Sequence, residues 1–192
     1  MDQKRTLILA YVVGVALGDG NLSRPNKRAT RLRVTCDQRY PTIAKEITRS
    51  LAFLFPNNKV SQVPGPKETY FNISVYSNKL DAYLPWKVGC GTKIEQGATV
   101  PLWIFKQPSY MRACLRGLLQ TDGSIYTDRG YCMINFCNNI LPLAKAVEQM
   151  IKKLGYMPHL YEAKQQSGNP KYTVRLSRNV AAFLEDIKFT KC

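Results

Sequence analysis

The sequence is poor in the residues from which metal clusters are built. It contains a single histidine, His159, and none of its six cysteines forms a Cys-x-x-Cys pair. These two absences exclude a zinc site of the Cys/His type. A disulfide framework is not expected either, because several cysteines fall at apolar positions of predicted strands or helices, and we therefore expect a reducing compartment, the cytoplasm or an organellar matrix.

Long hydrophobic runs and phosphate-binding loops are also missing. The apolar run from Leu7 to Leu17 is shorter than the ~20 residues that a membrane-spanning helix needs. A similar run recurs in mid-chain, which argues against a cleaved signal peptide, so no membrane partner is expected. Gly89 and Gly91 are not followed by G-x-G-x-x-G or G-K-[ST], which excludes a nucleotide-binding loop of either type.

Acidic residues are scarce relative to basic ones. The 192 residues include 13 Asp and Glu against 28 Lys and Arg, a formal net charge of +15, and the 45% hydrophobic content suffices for an ordinary core. Such an excess favours a polyanionic partner, with nucleic acid ahead of a membrane surface. Solubility alone is the other explanation of the charge.

Two stretches of the chain, 103 residues apart, have nearly the same pattern. Residues 10–20 and 112–123 are each a mostly apolar run with an inner glycine and a terminal Asp-Gly, and the chain has no other Asp-Gly dipeptide. This pattern is typical of a buried helix that presents one carboxylate at its C-terminal end.

Small residues lie one helical turn apart in both runs, Gly14 with Gly18 and Gly117 with Thr121. Stripes of this kind let two helices pack at close range.

Close packing of these two helices would bring Asp19 and Asp122 to the same end of the pair. Two adjacent carboxylates repel one another unless a proton or a cation lies between them. The carbonyl groups at the helix C-termini also favour positive charge, so the pattern predicts a site for a hard divalent ion.

Each motif is followed by the same order of predicted elements. Residues 31–37 and 131–136 alternate polar and apolar side chains as strands do, as do residues 70–76 and 171–176. In each half, a helix with Pro near its start follows the first of these strands, at residues 31–37 and 131–136. Ser77 and Ser177 are the predicted N-caps of the last helices. We therefore predict an α+β fold of two αββαββα repeats, with a first repeat at 1–85, a linker at 86–107 and a second repeat at 108–192.

The two motifs resemble those of the LAGLIDADG homing endonucleases, in the branch with two repeats in a single chain. The resemblance implies a monomer whose antiparallel sheets form a saddle on double-stranded DNA, with the motif helices at the interface. It further implies that Asp19, Asp122 and the backbone carbonyls of Gly18 and Thr121 hold two or three Mg²⁺ (or Mn²⁺) ions. The activity implied is cleavage of both strands of a long asymmetric site, in a protein of intron or intein origin.

Family members also carry polar or basic residues near the metals, at the end of the second strand of each half. The candidates are Gln38 and Arg39 in the first half and Asn138 with Asn139 in the second, where no Lys or Arg stands at the matching place.

The outward faces of the strands suit DNA, since a twisted antiparallel ribbon can enter the major groove and Arg, Gln and Asn can read base edges there. The predicted DNA-binding residues are Asn21, Ser23, Arg24, Lys27, Arg28, Arg31, Arg33, Tyr70, Asn72, Ser74 and Tyr76 in the first half, and Ser124, Tyr126, Arg129, Tyr131, Asn135, Lys164, Gln166, Lys171, Thr173 and Arg175 in the second.

Two alternatives share this fold, an RNA maturase that binds intron RNA and a catalytically inactive DNA-binding regulator. Other nuclease classes fit less well. His159 lacks the partners of a His-Asn-His site, and Glu162-Ala163-Lys164 resembles a restriction-type E-x-K without the upstream Pro-Asp.

Overall fold

The computed structural model describes residues 2–25, 27–65, 69–163, 168 and 170–191. In this part of the chain, six α-helices and eight β-strands form two halves with one order of elements. The first half contains α1 (Gln3–Asp19), β1 (Gly20–Ser23), β2 (Arg31–Asp37), α2 (Pro41–Leu54), β3 (Val60–Pro64), β4 (Tyr70–Tyr76) and α3 (Leu80–Tyr83). The second contains α4 (Pro108–Asp122), β5 (Gly123–Asp128), β6 (Tyr131–Asn138), α5 (Leu141–Lys153), β7 (His159–Ala163), β8 (Lys171–Leu176) and α6 (Val180–Asp186). The predicted α+β class and the αββαββα order are confirmed.

Each half folds into a four-stranded antiparallel sheet, with strand orders β1-β2-β4-β3 and β5-β6-β8-β7. One face of each sheet is covered by its helix, α2 or α5, which begins with a proline in its first turn, where the missing amide costs no hydrogen bond. The covered faces carry the buried residues Leu32, Val34, Ile73, Val75, Ile134, Phe136, Val174 and Leu176. In the described part of the chain, no helix lies over the opposite face of either sheet.

Helices α1 and α4 pack against each other at backbone distance. A Cβ atom at Gly14 would lie 2.2 Å from the carbonyl oxygen of Cys114, and one at Gly117 would lie 2.5 Å from that of Tyr11. Further along, a Cβ at Gly18 would lie 2.0 Å from the Thr121 hydroxyl oxygen. The close approach predicted from the small residues is therefore present, and it joins the two halves along their motif helices.

The segment between the halves contributes to the core and to the site. It contains a 3₁₀ helix at Leu102–Lys106 and buries Trp86, Val100 and Ile104. Among the described residues, no helix is both long and apolar enough to cross a membrane.

Two local predictions were wrong. The alternation of residues 131–136 predicted that Cys132 would point inward with Ile134 and Phe136, but Cys132 is exposed, paired with Thr127 beside the β5–β6 turn. The N-cap positions of α3 and α6 are occupied by Lys79 and Asn179, two residues after Ser77 and Ser177. The Ser77 hydroxyl instead accepts a hydrogen bond from the Lys79 amide, within the turn that precedes α3.

Candidate active site and nucleic-acid interface

The two motif acids lie at the adjoining C-termini of the central helices. Asp19 is the last residue of α1 and Asp122 the last of α4, and each is followed by a glycine that begins a strand. A Cβ at Gly18 would lie 3.5 Å from the carboxyl carbon of Asp122, so the second acid reaches across to the end of the first helix.

The electrostatics of the pair require positive charge. The surrounding protein and the Asp122 carboxylate raise the pKa of Asp19 to about 6, although one side of Asp19 is open to solvent. Burial also raises the pKa of Asp122, against the lowering influence of its Asn138 hydrogen bond and of Lys93 and Lys191. Both acids are thus held where the charged form is costly without a nearby cation.

Two lysines that the sequence analysis missed supply cationic groups at this place. The Lys93 ammonium donates hydrogen bonds to the carbonyl oxygens of Ala16 (3.4 Å), Leu17 (2.7 Å) and Gly18 (2.5 Å), at the C-terminal end of α1. The Lys191 ammonium donates to the carbonyl oxygen of Gly123 at 2.9 Å, just beyond α4. The C-terminal end of each motif helix therefore has one lysine beside it, Lys93 at α1 and Lys191 at α4.

The sequence carries little signal for these lysines, because 98 residues separate them and not the 103 of the motif repeat. Each follows the short helix that ends its half, α3 for Lys93 and α6 for Lys191. Basic residues were expected only at the ends of the second strands, so neither lysine was predicted.

The residues predicted at the strand ends have unequal surroundings. The Asn138 amide donates to the Asp122 carboxylate at 2.8 Å, so this residue is next to its predicted acid. Arg39 lines the same cleft as Asp19, but its guanidinium is paired with Asp37 at 2.7 Å. Gln38 is half-buried and its backbone amide donates to the Thr69 carbonyl.

The strand register corrects the correspondence between the halves. Gly20 pairs with Val34 in the first sheet and Gly123 with Phe136 in the second. Two residues further along, the equivalent of Asn138 is Cys36, and not Gln38. The pKa of the Cys36 thiol is raised by burial and by the Asp19 carboxylate, which lies near it as Asp122 lies near Asn138.

The two acids open into separate clefts. Asp19, Thr121 and Lys191 line a cleft of about 210 Å³, and Gly18, Lys93, Asp122 and Asn138 line another of about 310 Å³. The central pair of helices therefore presents one acid and one lysine to each side.

The donor set fits a hard divalent ion. Within the described ranges, no group of three or more His, Cys, Asp or Glu side chains is placed to hold a metal. The oxygen donors present are the two carboxylates and the carbonyls that end the motif helices, which are ligands that Mg²⁺ and Mn²⁺ accept. The Gly18 carbonyl oxygen already accepts a hydrogen bond from the Lys93 ammonium, so a cationic group can reach it. The Thr121 hydroxyl is directed back to the Gly117 and Leu118 carbonyls.

The uncovered sheet faces carry most of the predicted DNA-binding residues. Strand pairing places Asn21, Ser23, Arg31, Arg33, Tyr70, Asn72, Ser74 and Tyr76 on the first face and Ser124, Tyr126, Tyr131, Asn135, Lys171, Thr173 and Arg175 on the second. The exposed residues Lys27, Arg28 and Arg129 lie in the hairpin turns, whereas Arg24 is ion-paired with Asp81. Lys164 and Gln166 lie outside the described residues.

The second face carries aromatic and apolar side chains in addition to the predicted residues. Met133, His159 and Tyr161 also lie on this face. They were not predicted, because the pairing of their strands cannot be deduced from the alternation of side chains alone. The Arg175 guanidinium lies 5.4 Å from the centre of the Tyr161 ring, and its Nε donates to the side-chain Oδ1 of Asn135 at 3.4 Å. On the first face, Arg31 lies 6.0 Å from the Tyr76 ring and donates to Ser23 at 3.1 Å. The two faces therefore present different side chains in equivalent places.

Replacing Asp19 with Asn is expected to stabilise the metal-free protein at neutral pH. The folded chain holds the Asp19 proton more tightly than the unfolded chain, with a pKa of about 6 against 3.8. The stability that this group contributes is complete below pH 3.8 and is lost as the pH rises through about 6. Because water screens one side of the carboxylate, we expect a gain of about 1 kcal/mol at pH 7.5 in urea titrations, and none at pH 3.5.

Asp37→Asn is the control for this effect. Its hydrogen bonds from Arg39 lower the pKa of Asp37, so this variant is expected to gain no stability at either pH. Equal unfolding midpoints for Asp19→Asn and the unmodified protein at pH 7.5 would contradict the raised pKa.

Comparisons with known proteins agree with this geometry. Residues 109–188 match the LAGLIDADG-like domain, and residues 8–73 match the WhiA LAGLIDADG-like domain. No curated protein matches the chain.

Solved structures with the same fold are similar over nearly the whole chain. The homing endonuclease I-DmoI, in complex with DNA and Mn, is 21% identical over 98% of this chain and 99% of its own, with a TM-score of 0.70. The N-terminal LAGLIDADG domain of DUF199/WhiA is 13% identical over 97% of this chain and 85% of its own, with a TM-score of 0.65. With one LAGLIDADG-like domain in each half and the motif helices packed between them, the chain belongs to the LAGLIDADG family, as a single chain with two motifs.

Proposed function

We propose that this protein is a homing endonuclease that cuts both strands of a long, asymmetric double-stranded DNA site with the help of Mg²⁺ or Mn²⁺. The observation that carries the proposal is the pair of acids at adjoining helix ends, each in its own cleft with a lysine. The complexes of I-DmoI with DNA and with Mn or Mg support it by similarity. Both halves lie in one chain, which supports action as a monomer. The compartment in which we propose that it acts is the cytoplasm or an organellar matrix.

The chain's own groups divide the work between holding ions and stabilising charge. Asp19, Asp122 and the carbonyls of Gly18 and Thr121 would hold two or three divalent ions. When bound, such ions supply an activated water and stabilise the leaving oxygen of a phosphodiester. Asn138 orients the Asp122 carboxylate through its 2.8 Å hydrogen bond.

Lys93 and Lys191 are placed to stabilise negative charge that develops on the phosphate in each cleft. Their ammonium groups lie at the ends of α1 and α4, beside the acids. In a partly dehydrated site, a fixed cation of this kind contributes more than it would in water. Arg39, Gln38 and Asn139 stay candidates for a supporting role at the cleft edges.

The uncovered sheet faces would hold the duplex. Their registers give each half a different row of polar and aromatic side chains, which supports a target without twofold symmetry. Arg31, Arg33 and Arg175 are the candidates for base contacts in the major groove, and Lys27, Arg28 and Arg129 for phosphate contacts.

DNA binding is expected to weaken steeply with salt. If the chain neutralises 6–10 phosphates, the association constant falls by roughly 10³–10⁵ between 50 and 200 mM salt. Fluorescence anisotropy with a labelled duplex measures this slope. A binding constant that does not change with salt would remove DNA as the partner.

Selection from a random library tests the proposed activity. The protein is incubated with a randomised duplex library and Mg²⁺, and the cut ends are sequenced. The proposal expects one long asymmetric sequence cut on both strands, and a library that stays intact at every protein concentration would refute it.

A second candidate is a protein of this fold that binds DNA without cutting it. The match of residues 8–73 to the WhiA LAGLIDADG-like domain favours it for the first half, while the presence of both acids favours the nuclease. Enrichment of a bound but uncut sequence would identify it. An RNA maturase would instead prefer structured intron RNA over duplex DNA in the same anisotropy assay.

A further inference from the structure

A closed ring of polar side chains lies beneath the Asp19 cleft. The Tyr11 hydroxyl donates to the side-chain Oε1 of Gln120 at 2.8 Å, and the side-chain Nε2 of Gln120 donates to the Glu46 carboxylate at 3.2 Å. Glu46 pairs with Arg116 at 2.9 Å, and the Arg116 guanidinium lies 4.9 Å from the centre of the Tyr11 ring. The ring joins α1, α2 and α4.

Gln120 also holds the segment that follows α6. Its amide donates a second hydrogen bond, at 3.2 Å, to the backbone carbonyl of Thr190. The next residue is Lys191, whose ammonium donates to the Gly123 carbonyl at 2.9 Å and lies 5.3 Å from the centre of the Tyr40 ring. Gln120 is 4% exposed and lines the same cleft as Asp19 and Lys191.

The other half has no equivalent of this ring. At the 103-residue spacing of the repeat, Leu17 is equivalent to Gln120, Val13 to Arg116 and Cys114 to Tyr11. All three are fully buried, and they leave that side apolar. Lys93, the lysine of that side, is fixed by hydrogen bonds of its own to three successive carbonyls.

In the described part of the chain, Lys191 donates to one carbonyl only. A long side chain with a single hydrogen bond keeps much of its rotational freedom. Its position then depends on how firmly the backbone before it is held. Ile187 is buried and the Phe189 amide donates to the Leu184 carbonyl, and beyond these residues Gln120 holds Thr190.

We propose that Gln120 is a positioning residue, which clamps the segment 187–191 through the Thr190 carbonyl and so keeps the Lys191 ammonium beside Asp19. The inference rests on the proposed nuclease function for its consequence: cleavage of one DNA strand depends on this clamp and cleavage of the other does not.

Gln120→Leu in a Tyr11→Phe background tests the clamp. Leucine is the residue at the equivalent position of the other half, and the Tyr11→Phe change removes the hydroxyl that would otherwise lose its acceptor. The matched control is Tyr11→Phe alone, which keeps the bond from Gln120 to Thr190. The first measurement is hydrogen–deuterium exchange of residues 187–191 in the free protein, which needs no DNA and no cleavage.

Exchange in this segment is expected to be roughly three- to tenfold faster in the double variant than in the control, the effect of losing one net hydrogen bond. Unchanged exchange overturns the clamp whether or not the protein is a nuclease. Faster exchange in a protein that cuts no DNA leaves the clamp standing and refutes the proposed function.

Strand-specific cleavage is the second measurement, with a different dye on each strand of the selected duplex. Lys191→Met is expected to slow one strand by at least about tenfold, and Gln120→Leu to slow the same strand with the other changed less than about twofold. Combined with Lys191→Met, Gln120→Leu should add nothing, because it acts through that lysine. Equal slowing of both strands, or effects that multiply, would show a structural role and overturn the proposal.

Discussion

Asp122→Asn is expected to abolish cleavage of both DNA strands while specific binding persists. The variant keeps the size of the side chain and its contact with Asn138, since the new amide oxygen can accept the same hydrogen bond. It removes one of the two carboxylates that would hold the ions shared by both clefts. We expect each strand to be cut at least about a hundredfold more slowly, in keeping with the loss of a preorganised charge at a reaction centre.

The measurement is conversion of a supercoiled plasmid carrying the selected site to nicked and linear forms, with binding followed by anisotropy without divalent metal. Asp19→Asn should behave in the same way. Asp128→Asn is the control, because this carboxylate is exposed at the end of β5, away from the helix pair. Linear product at the normal rate in either motif variant would refute the shared metal site.

Gly14→Ala is expected to destabilise the fold strongly. The added methyl group would lie 2.2 Å from the Cys114 carbonyl oxygen and 3.1 Å from the Leu118 amide nitrogen, which are backbone atoms of a buried helix. The helices would have to separate, and overpacking of this kind costs about 3 kcal/mol or more. For a domain of ordinary stability this is a large fraction of the total, so we expect a much lower urea midpoint when unfolding is followed by circular dichroism.

Gly18→Ala separates this backbone effect from a side-chain one. There the added methyl group meets the Thr121 side chain, 2.0 Å from its oxygen and 2.7 Å from its Cβ. Thr121→Gly should therefore restore the stability of Gly18→Ala, while Cys114→Gly should not rescue Gly14→Ala. Rescue of both would mean that the helices are held apart by side chains.

Much of the fold could be predicted from the sequence because it is encoded locally and twice. The apolar runs ending in Asp-Gly, the alternating strands and the prolines before α2 and α5 each specify an element from neighbouring residues. The close contact of α1 and α4 followed from Gly14 and Gly117, since glycine removes the steric limit on backbone approach.

What could not be predicted depends on contacts between distant segments. Lys93 and Lys191 reach the motif helices from irregular segments whose paths are set by tertiary packing, and no local pattern marks them. The equivalence of Cys36 with Asn138 needed the strand register, because the turns after β2 and β6 differ in length. The ring around Gln120 was hidden for the same reason, as its four members come from three helices.

The contact between the Gly14 and Cys114 backbones has a practical consequence for protein engineering. The spacing of the two motif acids is set by main-chain atoms of α1 and α4, whereas target choice would depend on side chains of separate sheets. For the proposed nuclease, exchanging residues on the sheets should then change the DNA sequence that is bound without altering the stagger between the two expected cuts. In a chimaera that exchanges an entire half, α1 and α4 must be chosen together so that their backbones still fit at the glycines.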